Sequence, residues 1–114
     1  MHNLIEVTDG LLATPKRELM KARCPDLFPD YVKEYYDNRE KIPNNAIEIG
    51  LERVTVKTAD KKAVFDKIYF EYIQGLGLIK CYLSNVPLPG DDPELYPLIV
   101  RYKHGWCVLA PMVV

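Results

Sequence analysis

Residues 60–84, DKKAVFDKIYFEYIQGLGLIKCYLS, hold the densest run of aromatic and β-branched side chains in the protein, and their conformation decides what the rest of the chain must cover. As a helix, Val64, Phe65, Ile68, Tyr69, Tyr72, Ile73 and Leu76 form one stripe, with only Phe70 off it. As a strand, the same residue types suit a pleated, half-buried surface, and Asp66, Lys67 and Glu71 divide between its two faces. The flanks favour strands. A turn-forming segment, Thr58 to Lys62, follows an alternating run, and Gln74-Gly75-Leu76-Gly77 precedes another. The stretch then reads as the middle of a meander, with Tyr69 and Glu71, or Ile68, Phe70 and Tyr72, facing something beyond the core. If residues 60–74 form a third helix instead, that surplus surface disappears.

Working outward, the N-terminal half carries helix signals. Leu4 to Ala13 reads as a short strand, an Asp9-Gly10 turn and an apolar lead-in. Thr14-Pro15 pairs an N-cap residue with proline at the first helical position, predicting a basic helix that ends near Cys24, before Pro25. A second helix is expected from Asp26, with Pro29 in its first turn and Phe28, Tyr31, Val32, Tyr35 and Tyr36 on its buried face. Arg39 and Lys41 then lie near its C-terminal end, before Pro43.

From Ala46 the period changes to two. Ile47, Ile49 and Leu51 alternate with polar neighbours, as do Val54 and Val56, and the slip between the runs at Glu52-Arg53 has the signature of a β-bulge. Leu78 to Leu83 is a strand on either reading of its neighbours. Pro87, Pro89, Gly90 and Pro93 make residues 84–95 a loop. The chain closes in a hairpin with His104-Gly105 as its two-residue turn. That register puts Leu98, Val100, Tyr102, Cys107 and Leu109 on a core face, and Ile99, Arg101, Lys103, Trp106, Val108 and Ala110 on the other. The expected architecture is a single α+β domain over residues 1–114, with two N-terminal helices packed on an antiparallel sheet.

Composition bounds the function. The 114 residues are 48% apolar and 27% charged, ordinary globular values, with a net charge of −1. No overall positive charge draws the chain to nucleic acid, and no apolar run nears the roughly 18 residues of a membrane span. The N-terminus lacks the pattern of a signal peptide, and the three cysteines are odd in number and widely spaced, which reads as reduced thiols in a cytoplasmic protein. No cofactor is implied.

Catalytic patterns are weak. Cys107 and His104 are near in sequence, but the hairpin aims Cys107 into the core, where a thiol is inert. Cys24, Cys81, His104 and Cys107 lack the ligand spacings of structural zinc sites. Asp66, Glu71, Asp91 and Asp92, with Tyr69, Tyr72 or His104, are candidates for acid–base chemistry, although solvated carboxylates are the commoner outcome. Gly75-Leu76-Gly77 is no phosphate loop, and the HExxH and GxSxG motifs are absent.

Eight tyrosines and one tryptophan supply rigid contact area of the kind enriched at interfaces. The expected function is therefore a protein-binding module of inhibitor, immunity or adaptor type. Arg101, Lys103, Trp106 and Val108 would meet another protein, and the apolar tail from Ala110 to Val114 would be either core or a homodimer surface. The alternative is a small-molecule pocket or enzyme site between helices and sheet, lined by Tyr35, Asp66, Tyr69, Glu71 and Tyr72.

Overall fold

Residues Leu98–Tyr102 run through the middle of the structure with apolar side chains buried on both of their faces. The computed structural model describes residues 5–7, 11–13, 19–89 and 95–112. Within them lie β1 (Ile5–Val7), β2 (Leu11–Ala13), β3 (Leu19–Ala22), α1 (Asp30–Asp37), β4 (Arg39–Lys41), β5 (Ile47–Ile49) and β6 (Arg53–Lys57). They are followed by β7 (Lys62–Asp66), α2 (Lys67–Gly75), β8 (Leu78–Ser84), β9 (Leu98–Tyr102) and β10 (Gly105–Leu109). The strands form a five-stranded sheet in the order β3-β10-β9-β8-β4, a three-stranded sheet β5-β6-β7 and a two-stranded ribbon β1-β2. All pairings are antiparallel.

The expectation of two N-terminal helices on a sheet is overturned: the described residues are mostly strand, with two short helices, each preceded by strands. Thr14-Pro15 lies outside the described residues, but the segment expected to continue that helix, Leu19–Ala22, is a strand on β10. Leu19 is buried in the cluster on one side of the sheet, while Met20 and Ala22 are buried in the cluster on the other. That alternation is the period of a strand, and cross-strand burial outweighed the local helix signals.

Helix α1 is shorter than its apolar pattern suggests. Pro25–Leu27 forms a 3-10 turn, Pro29 takes the N-cap position, and the helix stops where the Asn38 side chain donates to the Glu34 carbonyl (2.8 Å). Arg39 and Lys41 belong to a strand, yet Arg39 Nη1 still donates to the Tyr36 carbonyl at the helix end (3.0 Å). Val32 and Tyr35 face the sheet.

Residues 60–84 contain both of the conformations their pattern allows. Lys62–Asp66 is a strand, and the chain then turns into a helix at Asp66, whose carboxylate accepts the Ile68 N–H (3.0 Å) as an N-cap. The helix is rotated from the expected stripe: Tyr69, Phe70 and Ile73 are buried, and Ile68 is 64% exposed. Gly77, at φ 90°, ends it, and β8 follows. The slip at Glu52-Arg53 is a hairpin rather than a bulge. Strands β5 and β6 pair with each other, and the Gly50 N–H donates to the Arg53 carbonyl (2.8 Å) across their turn. The register irregularity lies instead between Leu78 and Lys80 of β8.

Two apolar layers sandwich the five-stranded sheet. On one side Leu98, Val100, Tyr102, Cys107 and Leu109 meet Phe65, Phe70 and Ile73 from β7 and α2. On the other, Ile99, Val108, Met20 and Ala22 meet Phe28, Val32 and Tyr35. The closing hairpin turns at Lys103-His104, because Gly105 is already paired with Tyr102. A Cβ on Gly105 would stand 2.2 Å from the Ala22 carbonyl oxygen, so glycine is required inside the strand, not in the turn. The displacement keeps strand parity, and both expected faces survive it.

Two ties join the three-stranded sheet to the five-stranded one. The tail runs on from β10, where Pro111 is buried and the Met112 N–H donates to the Val64 carbonyl of β7 (2.7 Å). Lys61, in the turn between β6 and β7, has a side chain only 8% exposed that pairs with Glu40 on β4 (2.9 Å) and with Asp60 (3.4 Å).

Replacing Gly105 by alanine should lower the free energy of unfolding by about 3 kcal/mol. At Gly75, where a Cβ meets nothing within 4 Å, alanine should raise it by roughly 0.5–1 kcal/mol. Urea titration measures both, and a Gly105→Ala protein as stable as the parent would disprove the close-approach account. The hydrogen bond to Glu40 holds the Lys61 proton above the ordinary lysine value of 10.5, outweighing burial. A raised folded-state pKa stabilises fully below that value and loses its effect as pH climbs through the folded one. The stability difference between the parent and Lys61→Met should therefore hold at neutral pH and shrink above about pH 10.5, as followed by thermal melts.

Candidate functional site

The face of the large sheet that packs on α1 continues past the helix end as an aromatic and cationic surface. Arg101 lies directly across from Trp106, and Lys80 from Arg101, so three neighbouring strands set Lys80, Arg101 and Trp106 in one row. In the next row Lys41 of β4 lies across from Tyr82 of β8. Strand alternation gives these residues a common side, and α1 adds Tyr36.

The rings and cations interlock. Trp106 meets Tyr36 edge-on (centroids 5.0 Å apart, 88° between planes) and lies 5.9 Å from Tyr82. The Arg39 guanidinium sits over the Tyr36 ring at 4.1 Å and 5.3 Å from the Tyr82 and Trp106 rings. Lys80 approaches the Tyr82 ring at 5.8 Å, and Arg101 the Trp106 ring at 5.6 Å. Among the described residues no carboxylate forms an ion pair with Arg39, Lys41, Lys80 or Arg101, and Arg39 Nε is buried without a hydrogen-bond acceptor. Lys80 has its pKa pushed down, chiefly by side-chain contact with Lys41, then by the repulsion of the two charges, then by desolvation.

Of the four residues named from sequence for partner contact, the structure brings Arg101 and Trp106 together. Lys103 sits in the adjoining turn, its N–H donating to the Gly77 carbonyl (2.9 Å). Val108 is 6% exposed and packs in the layer under α1. Sequence reasoning missed Tyr36, Arg39, Lys41, Lys80 and Tyr82 as parts of this surface. The alternation of Lys80 with Tyr82 was a signal that they share a strand face; the joining of that face to Trp106 depends on long-range pairing.

The five residues of the alternative pocket are not brought together. Tyr35 is buried on the α1 side of the sheet and Tyr69 on the opposite side. Asp66 serves as the N-cap of α2, and Glu71 is exposed. An open groove of about 770 Å³ lies on the β5-β6-β7 sheet, lined among others by Glu48, Glu52, Arg53, Lys57 and Lys62. Its charges are of both signs. Leu51, which also lines it from the β5-β6 turn, is 95% exposed.

Burial accounts for the thiols. It pushes Cys81 up to about 11, and burial together with Cys81 pushes Cys107 higher still. His104 is exposed in the turn. No group of three or more His, Cys, Asp or Glu is placed to hold a metal ion among the described residues. Asp91 and Asp92 lie outside them. No described helix is long and apolar enough to cross a membrane.

Over 103 residues, 89% of the chain, the sequence is 29% identical to the chaperone protein HtpG of two strains of Helicobacter pylori. It is 30% identical, over the same share, to the HtpG of Helicobacter hepaticus. The chain spans 16% of the length of these curated relatives. No family model matches the chain. No solved structure matches it.

A thiol reagent added to the native protein should modify Cys24 alone, since it is exposed and the other two cysteines are buried. Denaturant should release the remaining two; rapid labelling of Cys107 in the native state would contradict its placement.

Proposed function

We propose that the protein is a binding module for another protein, acting by surface complementarity, with the face around Arg101 and Trp106 as its contact surface. One observation carries this reading: three half-buried rings share a face with four cations, none of which forms an ion pair with a described carboxylate. Tyrosine, tryptophan and arginine are the residues enriched where interfaces concentrate their energy. Their side chains are also held by mutual stacking, so little rotamer freedom remains to be lost on binding.

A second copy of the chain suits this face poorly, because a two-fold interface would set the cations against themselves. The small-molecule alternative lacks comparable support, since the sheet separates Tyr35 from Tyr69. The likeness to chaperone proteins is compatible with a protein partner, and it spans too little of them to transfer a residue role.

Arg101→Glu and Trp106→Ala should each reduce recovery of partner proteins from native lysate by roughly tenfold or more, as hot-spot losses do. Circular dichroism should show both variants folded. Recovery of the same partners at parental yield by both variants would reject the reading.

A further inference from the structure

The face around Trp106 carries more information about its occupant than its shape alone. Resting on the reading just given, we infer that it receives an acidic segment of the partner, a run of closely spaced aspartates or glutamates lying across strands β4, β8 and β9.

Three observations lead there. The chain has 16 acidic residues and uses them readily elsewhere, pairing Lys61 with Glu40 and Asp60, and Lys33 with Asp26. On this face, by contrast, Arg39, Lys41, Lys80 and Arg101 gather, and none of them forms an ion pair with a carboxylate of the described residues. Lys41 is held close enough to Lys80 to work against the charge of Lys80, an arrangement that an added anion relieves.

The rings distinguish carboxylates from stacked bases. A single-stranded nucleic acid needs open aromatic faces as well as cations. Here Arg39 covers Tyr36, Lys80 approaches Tyr82 and Arg101 approaches Trp106. The aromatics therefore serve as platforms that hold the cations in place. A guanidinium stacked this way keeps its edge for a carboxylate, which it meets with two parallel hydrogen bonds. Spacing agrees as well: Lys80 and Arg101 are direct cross-strand partners, and neighbouring strands stand about 4.8 Å apart. Charges that close are within reach of carboxylates on alternate residues of an extended peptide, whose side chains share one side.

Trp106 is the one tryptophan of the chain, so its emission reports occupancy of this face directly. Titrating the 114-residue chain with a short polyglutamate peptide should change that emission to saturation, and the affinity should fall several-fold as salt rises from about 50 to 200 mM. Polylysine of equal length should produce no change. The double variant Lys80→Gln with Arg101→Gln removes both charges while retaining the first two methylenes of each side chain; it should bind at least tenfold more weakly with a melting temperature near that of the parent. An unaltered emission with polyglutamate, or binding undiminished in the double variant, overturns the inference. So does tighter binding of oligothymidylate than of polyglutamate, which would make the face a nucleic-acid surface. If polyglutamate fails while partner recovery from lysate still depends on Arg101 and Trp106, the acidic occupant is wrong and the protein-binding reading stands. If both fail, that reading falls with it.

Discussion

The structure depends on a sheet whose central hairpin is apolar on both faces. Leu98, Val100 and Tyr102 of β9 point one way and Ile99 the other; Cys107 and Leu109 of β10 oppose Val108 in the same manner. Leaving either face in water would forfeit roughly 1.5–3 kcal/mol for each large side chain, so two covering layers are needed. Helix α1 supplies one. The chain between β4 and β8 supplies the other, and residues 60–84 change conformation partway because of it. A strand carries Phe65 into the layer, and the helix capped by Asp66 then lays Phe70 and Ile73 against the same core.

What the sequence made legible follows the range of the interactions involved. The faces of the β9-β10 hairpin depend on alternation within one short stretch, and they were readable even though the turn itself was placed one residue late. The hairpin loop at Thr58 to Lys62 and the buried Val32 and Tyr35 of α1 were also local signals. Strand β3 was not legible, because only pairing with β10 favours it over the helical propensity of its neighbours. The slip at Glu52-Arg53 has the signature of a bulge because a short hairpin connection and a one-residue slip change the phase in the same way. Within the candidate site, Arg101 and Trp106 could be paired from sequence as members of one hairpin. Arg39, Lys41, Lys80 and Tyr82 reach the same face only through pairings of β4 with β8 and of β8 with β9, which no local period reveals.

The energetic character of that face is mixed. A cation over a ring at an exposed site contributes about 0.5–1 kcal/mol, and the crowding of Lys41 against Lys80 acts in the opposite direction. Its net effect on folding is therefore small compared with the buried layers on either side. The stacking mainly restricts geometry: Arg39 is fixed over Tyr36 while its Nη1 closes the last turn of α1, so the helix end and the cationic surface share one side chain.

Strand β4 has only three residues, and they are used in opposite directions. Arg39 and Lys41 belong to the cationic surface, whereas Glu40 between them reaches the other side of the sheet and holds Lys61. A short edge strand with so few ladder bonds is a natural unit of local opening. Were it to peel away, the surface would lose two cations and the β6-β7 turn its anchor in the same event. The two sides of the sheet are thus linked thermodynamically. An anion that immobilised Arg39 and Lys41 would also firm the Lys61 turn behind them, and loosening that turn would weaken the hold on the anion by the same factor.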